Sequence, residues 1–106
     1  MTQMVAQPEA YFRALIPARK ALLHTIEEEA RQEDIPIVGP VVGELLYILA
    51  RTTGAVRILE LGTATGYSAI FLAEACAATG GQLTTMELDE AMARRAARTL
   101  ESAGLA

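Results

Sequence analysis

The stretch from Val56 to Ala78 constrains this chain more than any other. Val56 to Leu61 is a short apolar run broken only by Arg57 and Glu60, the pattern of a buried parallel strand. The chain then turns through Gly62 and Gly66 with small residues between them, and Tyr67 to Ala78 follows with a helical composition. Strand, tight glycine turn and helix open a nucleotide-binding βαβ unit. The glycines allow a sharp turn and close approach of backbone to a ligand. Backbone N–H groups at the start of the following helix can bind an anionic group. A second strand is predicted at Gln82 to Leu88, and it carries a second acid, Glu87.

Spacing separates the possible ligands. A dinucleotide fingerprint reads G-x-G-x-x-G. Here the order is Glu60, Gly62, Ala64, Gly66, with an acid at the strand end and no third glycine in the dinucleotide spacing. This resembles the turn of methyltransferases that use S-adenosylmethionine, with Ala64 in the middle glycine position. A carboxylate there suits an ammonium group, which a pyrophosphate ligand does not have. Glu87 follows the turn by about twenty residues, the distance at which a carboxylate reaches ribose hydroxyls. A carboxylate accepts both hydrogen bonds of a vicinal diol.

The segments ILELGTATGYSAIFLAEA and LTTMELDEAMARRAARTLESAGL resemble the cation-dependent O-methyltransferases of the catechol and caffeoyl-CoA type. IPIVGPVVGELLYILARTTGAVRILE is similar to the same family, and the likeness is weaker over the N-terminal stretch. The resemblance implies an α/β, Rossmann-like fold of which this chain holds the N-terminal half, with parallel strands and flanking helices. It divides the chain into an N-terminal helical region, residues 1–34, and a cofactor-binding half, residues 35–106. It implies an S-adenosylmethionine site at Glu60, Gly62, Thr63, Ala64, Gly66, Tyr67, Ser68 and Glu87, with Met86 and Leu88 flanking the adenine. Val38 and Gly39 border the methionine end by the same likeness, or form a plain helix-entry turn. Ser68 has two readings, a hydrogen bond to the cofactor carboxylate or a helix N-cap.

The implied reaction moves a methyl group to a hydroxyl of a small, catechol-like acceptor. The family holds that acceptor with a divalent metal, Mg, whose Asp and Asn ligands belong to later strands and loops. No catalytic or metal-ligating residue is therefore expected within residues 1–106. The competing reading is a non-catalytic fragment that self-associates or binds cofactor weakly. A nicotinamide-dehydrogenase half is a third reading, which the Glu60 position and the glycine spacing oppose.

Composition narrows the partners. The chain is 52% apolar and 21% charged, in the globular range. Its net charge of −4 and the lack of a basic stripe argue against a nucleic-acid surface. A single cysteine excludes an internal disulfide and fits a reducing cytoplasm. No signal pattern or uninterrupted membrane-length apolar run is present.

Along the chain, Met1 to Gln7 reads as a frayed start and Pro8 to Ile16 as a short helix. Pro17 is placed at the first turn of a helix running to about Glu33, with Leu22, Ile26 and Ala30 inward and Glu27, Glu28 and Glu29 in solvent. A helix over about Val41 to Arg51 turns Val41, Leu45 and Leu49 to one side. The helix after the glycine turn is apolar nearly all round and should be buried on more than one face. The last helix begins at Asp89, with Met92, Ala96 and Leu100 inward and Arg94, Arg95 and Arg98 outward. With only two strands, Val56 to Leu61 keeps an unpaired edge, which invites a second copy and predicts a homodimer.

Overall fold

The computed structural model describes residues 2–106. The elements run α1 (Pro8–Leu15), α2 (Ala21–Glu33), α3 (Gly39–Thr52), β1 (Arg57–Leu61), α4 (Tyr67–Thr79), β2 (Gln82–Met86) and α5 (Glu90–Ser102). The order is helical, then β-α-β-α. The fold is the α/β architecture the glycine turn predicts. The expectation of a frayed start includes Met1, which lies outside the described residues; residues 2–7 carry no helix or strand.

β1 and β2 pair in parallel from Arg57 opposite Gln82 to Leu61 opposite Met86. The register brings Glu60 directly opposite Thr85. Parallel strands need a crossover, and α4 supplies it. β2 ends at Met86, two residues short of the predicted Leu88, because Gly62 (φ 93°) turns β1 away and leaves the next β2 residues no partner. Gly62 and Thr63 N–H both donate to the Met86 carbonyl, closing the ladder at 2.8 and 3.2 Å.

α4 is the centre of the core. Tyr67, Ala69, Ile70, Phe71, Leu72, Ala75 and Cys76 are all buried, so the helix is covered on several sides as its composition requires. Leu23 and Ile26 of α2 join Tyr67, Ile70 and Phe71 in one cluster, with Tyr47, Leu100 and Leu105 packed against it. The buried stripe of α2 is Leu23, Ile26 and Ala30. Leu22, the expected first member, is only half-buried.

Three expectations need correction. Pro17 does not open α2, which begins at Ala21 after an extended Lys20. The inward face of α3 is not Val41, Leu45 and Leu49 but Pro40, Gly43 and Ala50, while Leu45 and Leu49 are each 50% exposed. α3 crosses α4 so closely that a Cβ on Gly43 would lie 2.5 Å from Phe71 Cε2; with the ring where it is, only glycine fits there. Finally, Arg95 of α5 faces α2, donating to Glu29 at 2.8 Å and to Glu33 at 2.7 Å. The remaining features of α5 stand: Asp89 accepts from Met92 N–H at 2.9 Å as its N-cap, Ala96 is buried, and Arg94 and Arg98 point outward.

The sheet is covered on one face only. Ile58, Glu60, Leu83 and Thr85 alternate onto the protected side. Leu59, Leu61 and Met86 lie on the other, exposed to 62%, 75% and 56%.

Candidate functional site

The β1–α4 turn places its residues through two devices. The first is conformational. Gly62 and Gly66 have φ of 93° and 89°, and Ala64 between them has φ of 47°. Positive φ suits glycine, and alanine adopts it under mild strain. That strain is held by a hydrogen bond: Ala64 N–H donates to Glu87 Oε2 at 2.8 Å. Glu87 Oε1 accepts from Asp89 N–H at 3.0 Å. Those two N–H groups, Asp89's first, hold the Glu87 carboxyl below the usual carboxylate range.

The second device is a hydroxyl network beneath the turn. Ser68 Oγ donates to Glu60 Oε2 at 2.6 Å, and Thr85 Oγ1 donates to Glu60 Oε1 at 2.7 Å. Thr63 and Thr85 hydroxyls meet at 2.5 Å. Glu60 thus has a hydroxyl donor on each oxygen. Ser68 lies two residues after the N-cap position, which Gly66 occupies, and makes no cap hydrogen bond; its N-cap reading is replaced by the bond to Glu60.

A cavity of about 270 Å³ opens against the turn, lined by Pro36, Ile37, Val38, Gly62, Thr63, Ala64, Tyr67 and Ser68. A Cβ on Gly62 would meet nothing within 4 Å, so the backbone here faces open space. The first turn of α4 adds backbone N–H groups that lack helical acceptors. Five of the predicted turn residues and Val38 therefore come together around one space. Gly66 is buried beneath α5, with its Cα side 3.4 Å from Ala96 if a Cβ were added. Glu60 sits behind Ser68, outside the lining. Gly39 lines a neighbouring cavity with Val38 and His24. Met86 is on the open sheet face, and Leu88 is fully exposed.

The floor of the cavity holds an arrangement that sequence reasoning missed. Tyr67, 2% exposed, donates its hydroxyl to Glu27 Oε2 at 2.7 Å. Arg19 grips the same carboxylate from Nε at 2.8 Å and Nη2 at 2.9 Å. Glu27 is consequently not a solvent residue; its side chain is 18% exposed. Burial opposes its ionisation, but the Arg19 and Tyr67 hydrogen bonds outweigh this and hold it below the ordinary value. Burial, together with the Glu27 bond, pushes the Tyr67 phenol up. Glu29 is likewise drawn in by Arg95, and of the three only Glu28 remains on the exposed surface, where it pairs with Arg31. The burial periodicity of α2 could have flagged Glu27, since it follows Leu23 by four residues and Ile26 by one.

Among the described residues, no group of three or more His, Cys, Asp or Glu could hold a metal ion. No helix among them is long and apolar enough to cross a membrane.

A sequence profile described as O-methyltransferase matches residues 17–106. The catechol O-methyltransferase of Niastella koreensis is 43% identical over 68 residues, which cover 64% of this chain and 30% of that protein. The O-methyltransferase TomG from Streptomyces achromogenes, solved in complex with SAM, superposes with a TM-score of 0.79 at 37% identity, covering 96% of this chain and 48% of its own. The O-methyltransferase from Bacillus cereus, solved with SAH, superposes with a TM-score of 0.81 at 31% identity, covering 92% and 45%. The chain thus spans less than half the length of each of these relatives.

Proposed function

Because this chain belongs to the O-methyltransferase family, we propose that it is the cofactor-binding part of an S-adenosylmethionine-dependent O-methyltransferase. One observation carries the reading. Glu87, just beyond β2, accepts from Ala64 N–H in the glycine turn, Glu60 of β1 accepts from Ser68 in the first turn of α4, and the turn and Ser68 together wall an open cavity.

The residues present fit the cofactor. An open backbone at Gly62, an Ala64 turn already anchored to a carboxylate, and free N–H groups at the start of α4 suit a ligand with a ribose diol and a zwitterionic tail. Glu87 would take the ribose: each of its oxygens has one N–H partner and a further lone pair for a hydroxyl. Glu60 and Ser68 would serve the amino-acid end, with Val38, Thr63 and Tyr67 as walls. The cofactor, when bound, supplies a sulfonium methyl as the group transferred. This chain's own contribution is to orient that group and to exclude water with Tyr67 and the apolar Pro36–Val38 loop. The residues described here do not make a metal site, so no step through Mg is drawn on them.

The acceptor is a hydroxyl of a small, catechol-like molecule, a reading supported by the catechol O-methyltransferase among the relatives. Residues 35–106 form the cofactor-binding half and residues 1–34 a helical region bordering it. A buried, unpaired Cys76 is consistent with a reducing, cytoplasmic setting. The second reading, a self-associating module with weak cofactor affinity, is favoured by the exposed sheet face.

Calorimetry with S-adenosylhomocysteine tests the site. Glu87→Ala should bind on the order of tenfold to a hundredfold more weakly than the parent, since it deletes charge-assisted bonds. Equal affinity in parent and variant would refute the ribose role.

A further inference from the structure

The hydroxyl network beneath the turn has a fixed direction. A threonine hydroxyl carries one proton, and an ionised carboxylate only accepts. Thr85 gives its proton to Glu60 Oε1. In the Thr63–Thr85 contact, Thr63 must therefore be the donor. Ser68 gives its own proton to Glu60 Oε2. All three hydroxyls thus point towards one carboxylate, Thr63 through Thr85 and the other two directly. Thr63 is 5% exposed, so this is a protected network in which an unmade bond is costly.

We infer that Thr85, hydrogen-bonded to Thr63, is a positioning residue for the amino-acid end of the ligand, acting through Glu60 and Ser68. Thr85 is not in the cavity lining, whereas Ser68 and Thr63 are. Glu60 lies between Thr85 and Ser68 and fixes which way the Ser68 hydroxyl turns. Removing the Thr85 hydroxyl frees Glu60 Oε1 and leaves the Thr63 proton without its acceptor. The carboxylate then has one fixed oxygen instead of two, and Ser68 loses its defined orientation. The ribose side is untouched, because Glu87 is held separately by Ala64 and Asp89. Thr85 therefore discriminates between the two ends of one ligand. This inference rests on the cofactor reading of the cavity.

The test uses two probes: S-adenosylhomocysteine, and methylthioadenosine, which keeps the ribose and adenine but lacks the amino-acid tail. Thr85→Val should bind the first about threefold to tenfold more weakly, the value of one hydrogen bond. It should bind methylthioadenosine as the parent does. Thr85→Ser should restore the parent affinity. In a Glu60→Leu background, Thr85→Val should have no further effect, the signature of action through Glu60. Equal losses for both probes, or losses that add in the Glu60→Leu background, would overturn the inference and make Thr85 a packing residue. The Glu87→Ala variant separates this from failure of the underlying reading. It should weaken both probes, and if it changes neither, or if the parent binds neither, the cofactor site itself is refuted and the Thr85 role with it.

Discussion

Tyr67 and Glu27 lie 40 residues apart in sequence and meet through a hydrogen bond of 2.7 Å. The bond joins the first residue of α4 to the middle of α2, and Arg19 completes it from the segment before α2. The N-terminal region is therefore fastened to the floor of the cavity by a charged hydrogen-bonded group and not only by apolar packing. The position of Tyr67, and with it the start of α4, depends on residues that precede Gly62 by 35 positions or more.

Tyr67→Phe should lower stability by about 1–2 kcal/mol, since it deletes a buried donor to a carboxylate. Thermal unfolding of the variant and parent measures this. The cavity volume changes little, so an effect near zero would mean that Arg19 alone satisfies Glu27.

Glu27 also sets a pH dependence. Its carboxyl is held below the ordinary value of 4.5 in the folded chain. A depressed folded value means that the unfolded state binds the proton more readily, so stability from Glu27 is present above about pH 4.5 and is lost as pH falls through the folded value. Glu27→Gln should flatten that part of the stability–pH curve. Denaturant midpoints at pH 3, 4, 5 and 7 give the comparison, and identical slopes for parent and variant would contradict the linkage.

The close crossing of α3 and α4 yields a sterically simple prediction. A Cβ on Gly43 would fall 2.5 to 2.8 Å from three atoms of the Phe71 ring, and Phe71 is 5% exposed. The buried ring must shift to make room. Gly43→Ala should therefore destabilise by about 1–3 kcal/mol through overpacking, exceeding the roughly 1 kcal/mol that alanine gains over glycine in a helix. A variant as stable as the parent would show that the helices separate without cost.

The strand–turn–helix unit and both of its acids were legible in the sequence because each rests on a local pattern. A short apolar run, two glycines and an apolar helix occupy adjacent positions, and Glu87 follows at a spacing set by one βαβ unit. α3 was not legible in the same way. Hydrophobicity ranks Leu45 and Leu49 above Gly43 and Ala50, yet a close helix crossing selects small residues, and only the tertiary distance to Phe71 reveals which face is inside. Glu27 was hidden for a related reason: its neighbours Glu28 and Glu29 make it look like part of a solvated run, and its partner lies in another element. Thr85 stood between. Strand alternation puts it on the covered face, but the bond to Glu60 depends on the parallel register that sets the two opposite one another.

A polypeptide of residues 1–106 by itself should show no methyl transfer. It spans 48% and 45% of the two solved relatives, and the acceptor must be held in line with the transferred methyl for the reaction to proceed. Incubation with labelled S-adenosylmethionine, magnesium and a panel of catechols is the assay. Product above a no-protein control would place an acceptor site within these residues.

The open sheet face leads to the last prediction. Leu59 and Leu61 of β1, Met86 of β2 and Leu88 beyond it are exposed to 62%, 75%, 56% and 100%. β1 pairs only with β2 among the described residues, so its second edge also carries unpaired backbone groups. Leaving apolar surface wet forfeits about 25 cal/mol per Å². A few hundred Å² is thus worth several kcal/mol, comparable with the roughly 5–15 kcal/mol margin of a whole domain. A two-fold pair of chains would cover the same surface on both copies and give each β1 edge a partner. Light scattering behind size-exclusion chromatography at micromolar concentration should show a dimer, and Leu61→Lys, on this exposed face, should shift it towards monomer. If the parent runs as a monomer with unfolding independent of concentration, the half sheet is stable with its face in water, and the dimer is excluded.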